Sequence, residues 1–286
     1  MRIAPWMALC IGGITTNAQA VEICGEEVPS DSDVVYCSGY GQGPISLAPL
    51  LELPNLAHLS ISFAELADPE VLGRLALTSL DIHDTPLASP MTAIAGMTSL
   101  EHLKLNKVGD HTFVEVSALT ELRVLTLGSS TAMTSAQPLA GLTKLTRLTL
   151  LEVPVTDLTP IAGAVSLERL YCASVPVHTV PSLSAMTVLE SVTFGNAALP
   201  SLAFITGAPA VKHLSLGATS PVDLSPLSTV STLESLDIAM SAVTDITSLY
   251  GLPNLNKLRV FMVEEIPQSQ LEQVRQGHPG IDIVGP

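Results

Sequence analysis

The sequence predicts an α/β solenoid: stacked short coils with a curved parallel sheet on the inner face and short helical turns and loops on the outer face. Three observations predict it. An aliphatic triplet recurs as Leu56-x-x-Leu59-x-Ile61, Leu77-x-x-Leu80-x-Ile82, Leu100-x-x-Leu103-x-Leu105 and Leu122-x-x-Leu125-x-Leu127. It continues through Leu145/Leu148/Leu150, Leu167/Leu170/Cys172, Leu189/Val192/Phe194, Val211/Leu214/Leu216, Leu233/Leu236/Ile238 and Leu255/Leu258/Val260. The starts fall 21, 23, 22, 23 and then repeatedly 22 residues apart, and a fixed period in the 20s marks stacked repeats. Aromatic residues make up only 3% of the chain, so the core has to be built from aliphatic side chains.

Residues 1–20 read as a secretory signal peptide. Arg2 gives a positive start, Ile3 to Ile14 is mostly apolar, and Ala18-Gln19-Ala20 supplies a small-x-small cleavage pattern. The expected destination is outside the cytoplasm: secreted, periplasmic or on the cell surface. Residues 21–55 then form an N-terminal cap, in which Val35-x-Cys37 with Ile45, Leu47, Leu50 and Leu53 reads as a degenerate first coil. In an exported chain Cys24 and Cys37 are expected to form a disulfide; the alternative is two unpaired thiols. The bridge closes a loop of about 14 residues, which the chain-entropy model values at about 3 kcal/mol. Cys172 fills the third aliphatic position of its repeat, which predicts a buried, unreactive thiol.

Residues 56–262 hold about ten repeats. In the one from Leu145, the Leu148-x-Leu150 alternation has period two, the mark of a short strand with one face inward. Thr156-Asp157-Leu158-Thr159-Pro160-Ile161-Ala162-Gly163 then changes character: Asp157 can cap a short helical turn, Pro160 fits its opening and Gly163 helps it end. The same signals recur at Asp223-Leu224-Ser225-Pro226-Leu227 and Asp245-Ile246-Thr247-Ser248-Leu249. One coil cannot bury its apolar stripe, whereas ten share a continuous core. Residues 263–286 form a C-terminal cap: Ser269–Arg275 reads as a small helix, Gly277-His278-Pro279-Gly280 breaks it, and 281–284 can pair with the last strand.

The period and the Thr156–Gly163 segment resemble bacterial leucine-rich repeats of the internalin kind, over roughly residue 33 to the C-terminus. The resemblance implies a leucine-rich repeat solenoid with a protein-interaction role outside the cell or at its surface. That family commonly carries Asn at the ninth repeat position; here the position holds Ala64, Thr85, Val108, Ser130, Val153, Val175, Ala197, Thr219, Ser241 and Val263.

With 27 acidic residues against 12 basic ones, the chain lacks the Lys and Arg clusters that phosphate backbones require, so no nucleic-acid binding is expected. A long uncharged run, Val124 to Thr143, is broken by Gly128, several Ser and Thr, and Pro138; a span needs about 20 mostly apolar residues, so the mature chain is expected to have none. Equivalent positions on adjacent coils sit side by side, which predicts ion pairs Asp81–Lys104, Glu101–Arg123 and Asp237–Arg259, with Glu190, Lys212 and Glu234 alternating. Arg147 and Arg169 break the pattern, like beside like. With Tyr171 and the outward Leu151 they form the candidate protein-binding patch, because Arg, Tyr and exposed aliphatic groups are hot-spot chemistry. Met240, Phe261 and Met262 are the fallback.

Catalytic, cofactor and metal sites are not expected. His58, His83 and His102, with Asp81 and Asp84, lack tight ligand spacing, and no G-x-S-x-G elbow or phosphate loop occurs. The segment 263–286 is too short for a catalytic domain, so the chain is not read as an enzyme. The preferred function is an exported protein-binding module whose partner docks on the inner sheet. The alternative is a cell-envelope structural or carbohydrate-associating protein, disfavoured because only Tyr171 and Phe261 among the aromatics are expected on the inner face.

Overall fold

In the computed structural model, the described residues are 20–87, 91–219, 223–263 and 265–285. The expected signal peptide lies outside them except for Ala20. A single sheet of twelve strands runs the length of the solenoid in chain order. Its strands are β3 (Val34–Ser38), β4 (His58–Ser62), β5 (Ser79–His83), β6 (His102–Asn106), β7 (Val124–Gly128) and β8 (Arg147–Leu151). They are followed by β9 (Arg169–Ala173), β10 (Ser191–Gly195), β11 (His213–Ser215), β12 (Ser235–Asp237), β13 (Lys257–Arg259) and β14 (Asp282–Val284). Every neighbouring pair is parallel, and the fourth and sixth repeat positions stay in register, as in Leu148↔Leu170 and Leu150↔Cys172. The fold is a leucine-rich repeat solenoid.

Period two explains each strand. In β8, Leu148 and Leu150 are buried while Arg147 is exposed, and the pattern repeats in β9. Stacking turns these residues into one hydrophobic column from Ile23 to Val274. Each coil returns through a tight turn on the outer face, mostly a 3-10 turn, with one short helix, α1 (Thr92–Ala95). Proline opens several of them, as at Pro49, Pro69, Pro138, Pro160 and Pro226, because its missing N–H is not needed there. The carboxylates predicted to cap these turns do so. Asp157, Asp223 and Asp245 accept the backbone N–H of Thr159, Ser225 and Thr247, each at 2.8 Å. Hydroxyls do the same for Gln137 from Ser135 (3.2 Å) and Ala203 from Ser201 (3.0 Å).

Both ends of the core are covered. At the start, β1 (Ala20–Ile23) and β2 (Glu26–Pro29) form an antiparallel hairpin that presses Ile23 onto the core. The Cys24–Cys37 disulfide ties this hairpin to β3, with the two Cα atoms 5.5 Å apart. At the far end α2 (Gln268–Gly277) buries Leu271 and Val274. Both ring nitrogens of buried His278 face carbonyl oxygens, Val274 at 2.9 Å and Leu252 at 2.7 Å, which pins the helix end to the last coil. The chain then pairs β14 with β13.

The eighth residue of every repeat has a left-handed backbone, which the sequence did not signal. Phe63, Asp84, Lys107, Ser129, Glu152, Ser174, Asn196, Ala218, Met240 and Met262 have φ between 47° and 56°. None is glycine, so each bears a steric cost that the surrounding structure must outweigh. What outweighs it is a backbone ladder: the N–H of this residue donates to the carbonyl of the seventh residue of the next coil, from Phe63→His83 to Met240→Phe261, at 2.9–3.4 Å. The ladder starts one coil earlier at Gly39→Ser62, where a side chain is impossible because a Cβ would lie 2.5 Å from Ala64 Cα. At the ninth position, hydroxyls take up backbone groups. Thr85 accepts from the N–H of Ala64 (3.2 Å), Ser130 accepts from that of His111 (2.9 Å), and Thr219 and Ser241 donate to Leu216 and Ile238.

Candidate docking face

Outward strand residues form rows across the sheet. One row contains Ser79, His102, Val124, Arg147, Arg169, Ser191, His213, Ser235 and Lys257; the next contains Tyr36, Ser60, Asp81, Lys104, Thr126, Thr149, Tyr171, Thr193, Ser215, Asp237 and Arg259. Most charges on this face are matched between neighbouring coils, as register predicts. Lys104 lies 2.9 Å from Asp81, Arg123 3.4 Å from Glu101, Lys212 2.6 Å from Glu190 and Arg259 3.6 Å from Asp237. Lys107 adds a pair with Asp84 at 3.4 Å. The Lys212 ammonium, by hydrogen bond and charge, holds the Glu190 carboxyl below the usual carboxylate range, and Glu190 raises Lys212 in return. Exposed pairs of this kind add little stability, about 0–1 kcal/mol each.

Arg147 and Arg169 stand outside this matching. They are direct register partners, both are exposed, and among the described residues neither forms an ion pair. Glu168, next to Arg169 in sequence, is exposed and forms no ion pair among the described residues. Glu152 accepts the Ser129 hydroxyl at 2.9 Å, and Glu190, whose carboxyl also feels the Arg169 charge, holds Lys212. Tyr171, two residues beyond Arg169 on the same strand face, is 44% exposed. Leu151 follows the outward alternation but is half-buried, and a Cβ added to the neighbouring Gly128 would come within 3.1 Å of its own Cβ. The structure therefore brings Arg147, Arg169 and Tyr171 together as exposed groups and makes Leu151 partly a packing residue. The fallback group is exposed as well: Met240 56%, Phe261 49% and Met262 63%.

The expectation that Tyr171 and Phe261 are the only aromatics on the inner face is corrected. Tyr36 (78% exposed) occupies the same row as Tyr171, and Tyr40 (83%) and Phe63 (49%), which follow the first two strands, are exposed as well. The Tyr40 and Phe63 rings meet edge to face at 6.2 Å, and the Phe63 and His83 rings at 5.4 Å. Tyr36 could have been placed from sequence by extending the repeat alternation into Val35-x-Cys37. Phe63 owes its exposure to the left-handed eighth position, which carries no sequence signal here.

His58 and His102 share a row with Ser79 between them, and His83 lies on another row, 3.9 Å from Asp81. Among the described residues no group of three His, Cys, Asp or Glu side chains could hold a metal ion. Burial pushes the Cys172 thiol up to about 12, which suits a packing residue and not a nucleophile. Among the described residues no helix is long and apolar enough to cross a membrane.

No family model matches the chain, and no curated protein matches it in sequence. Solved structures do. An internalin from Listeria monocytogenes is similar with a TM-score of 0.57 at 20% identity, covering 91% of this chain and 89% of that one. A leucine-rich repeat protein of Leptospira interrogans gives 0.57 at 17% identity, covering 85% and 76%. A chain of the octameric complex of Latrophilin 3, Unc5D and FLRT2, the last present as its leucine-rich repeat, gives 0.66 at 17% identity, covering 90% and 85%. These likenesses establish the shared fold.

Proposed function

We propose that the chain is an exported protein-binding module whose partner docks on the inner sheet, with Arg147, Arg169 and Tyr171 as anchors and Leu151 as their apolar support. The observation that carries this reading is the unmatched, exposed Arg147–Arg169 pair beside Tyr171 on a face whose other charges are largely paired internally. The pair lies near the middle of the stack, where surrounding contacts can exclude water from an anchor. Export rests on the leader pattern of residues 1–20, and the disulfide suits an oxidising compartment. The likeness to a chain of the octameric complex of Latrophilin 3, Unc5D and the FLRT2 leucine-rich repeat points the same way.

The test is affinity capture from envelope or culture fluid with protein lacking residues 1–20. A partner should be recovered by the wild type, and Arg169→Ala with Tyr171→Ala should weaken its binding about thirtyfold, the loss typical of true anchors. Recovery of no specific partner at several salt concentrations counts against the reading. A second reading, association with carbohydrate, gains from the Tyr36, Tyr40 and Phe63 rings. Glycan-array binding that is lost in Tyr40→Ala and kept in Tyr171→Ala would favour it.

A further inference from the structure

We infer that Arg147 and Arg169 form a carboxylate-binding pair, so that the docking element is an acidic peptide segment of the partner. The inference rests on the protein-docking reading above and names the chemistry of that partner. Its ground is which cations the fold leaves over. Of the eight Lys and Arg residues on the inner face, Lys104, Lys107, Arg123, Lys212 and Arg259 hold a carboxylate of an adjacent coil at 2.6–3.6 Å. Lys257 forms no ion pair among the described residues but has Asp282 as its register partner, whereas Arg147 and Arg169 hold none and face each other in register. In a chain with 27 acidic residues against 12 basic ones, two adjacent cations with no carboxylate at ion-pair distance are the exception.

Like charges opposed across strands repel. A carboxylate set between the two guanidinium groups removes that repulsion and gains charge-assisted hydrogen bonds, with the fork geometry that only arginine offers. Tyr171 adds a ring and a hydroxyl on the same face. The net charge of −15 argues for a peptide over a polyanion: the long-range field repels nucleic acids and sulfated glycans most strongly, whereas a short segment with one or two carboxylates meets the local pair.

The test is fluorescence anisotropy on residues 21–286, using a labelled peptide of alternating Glu and Gly beside its Gln counterpart at low ionic strength. The Glu peptide should bind at least tenfold more tightly than the Gln peptide, and its affinity should fall as salt shortens the screening length. Arg147→Ala with Arg169→Ala should cost about thirtyfold, while the double Lys variant keeps part of the affinity and both variants melt like wild type. Failure of the Glu peptide to bind, or equal binding by the double Ala variant, overturns the inference. Binding of a heparin oligosaccharide through the pair, with none of the Glu peptide, overturns it in favour of a sulfated glycan. If a captured protein partner depends on Tyr171 but the Glu peptide fails, the docking face stands and the acidic ligand falls. If the Glu peptide binds and no partner is captured, the carboxylate site stands alone.

Discussion

Arg147 and Arg169 face each other in register across two adjacent strands of a sheet where the same geometry elsewhere makes ion pairs, as Asp81 with Lys104 and Asp237 with Arg259. The register is common to all of these pairs, so the difference lies in the residues chosen. If the two arginines serve binding and not folding, replacing both by Ala should leave the melting temperature unchanged or slightly raised, since opposed like charges destabilise by a few tenths of a kcal/mol. Thermal melts in low salt check this; a fall of several degrees would mean that their aliphatic stems support the sheet.

Leu148 is 1% exposed at the centre of the column. Leu148→Ala should cost about 2–5 kcal/mol through lost burial and the cavity left behind, and coupling between coils should spread the loss along the stack. Urea unfolding measures it, and a midpoint within error of wild type would contradict the register.

Ala218 holds a left-handed backbone with φ 55°. Ala218→Gly should be close to neutral, strain relief offsetting the entropy of glycine, whereas Ala218→Val should lose about 1–2 kcal/mol because a branched side chain tolerates this region poorly. Similar stabilities for the two variants would mean that the eighth-position strain is not real.

In residues 21–286, Cys24 and Cys37 are bridged and Cys172 is buried. Native protein should therefore take up no alkylating reagent, and reduced, denatured protein should take up label at all three cysteines, read by intact mass. Reduction alone should lower stability by about 3 kcal/mol through the reopened loop. Labelling of two thiols in native, unreduced protein would exclude the bridge.

The solenoid was legible in the sequence because the period forces equivalent residues onto neighbouring strands. Once Leu56, Leu77 and Leu100 were aligned, the pairings Asp81–Lys104 and Glu101–Arg123 followed, as did the Arg147–Arg169 juxtaposition. The turn caps at Asp157, Asp223 and Asp245 were legible because a carboxylate two residues before a free N–H has one obvious use. The left-handed eighth positions were not, since Phe63, Glu152 and Met240 share no residue type and the conformation is imposed by the coil-to-coil ladder of backbone hydrogen bonds. Exposed Phe63 shares that cause, whereas Tyr36 follows from extending the Val35-x-Cys37 alternation, and Leu151 stands on the outward face with its side chain half-buried. Packing beside Gly128 depends on which neighbour lacks a side chain, a fact of the row and not of the repeat.

Site-specific photo-cross-linking tests the central claim most directly. A cross-linking residue is placed at Thr193, the register partner of Tyr171 on the inner face, and separately at exposed Val165 on the return segment of its coil. With the captured partner present, position 193 should give a cross-linked species that disappears in Arg169→Ala with Tyr171→Ala, and position 165 should give none. Cross-links from position 165 with none from 193 would place the partner off the inner sheet and contradict the account.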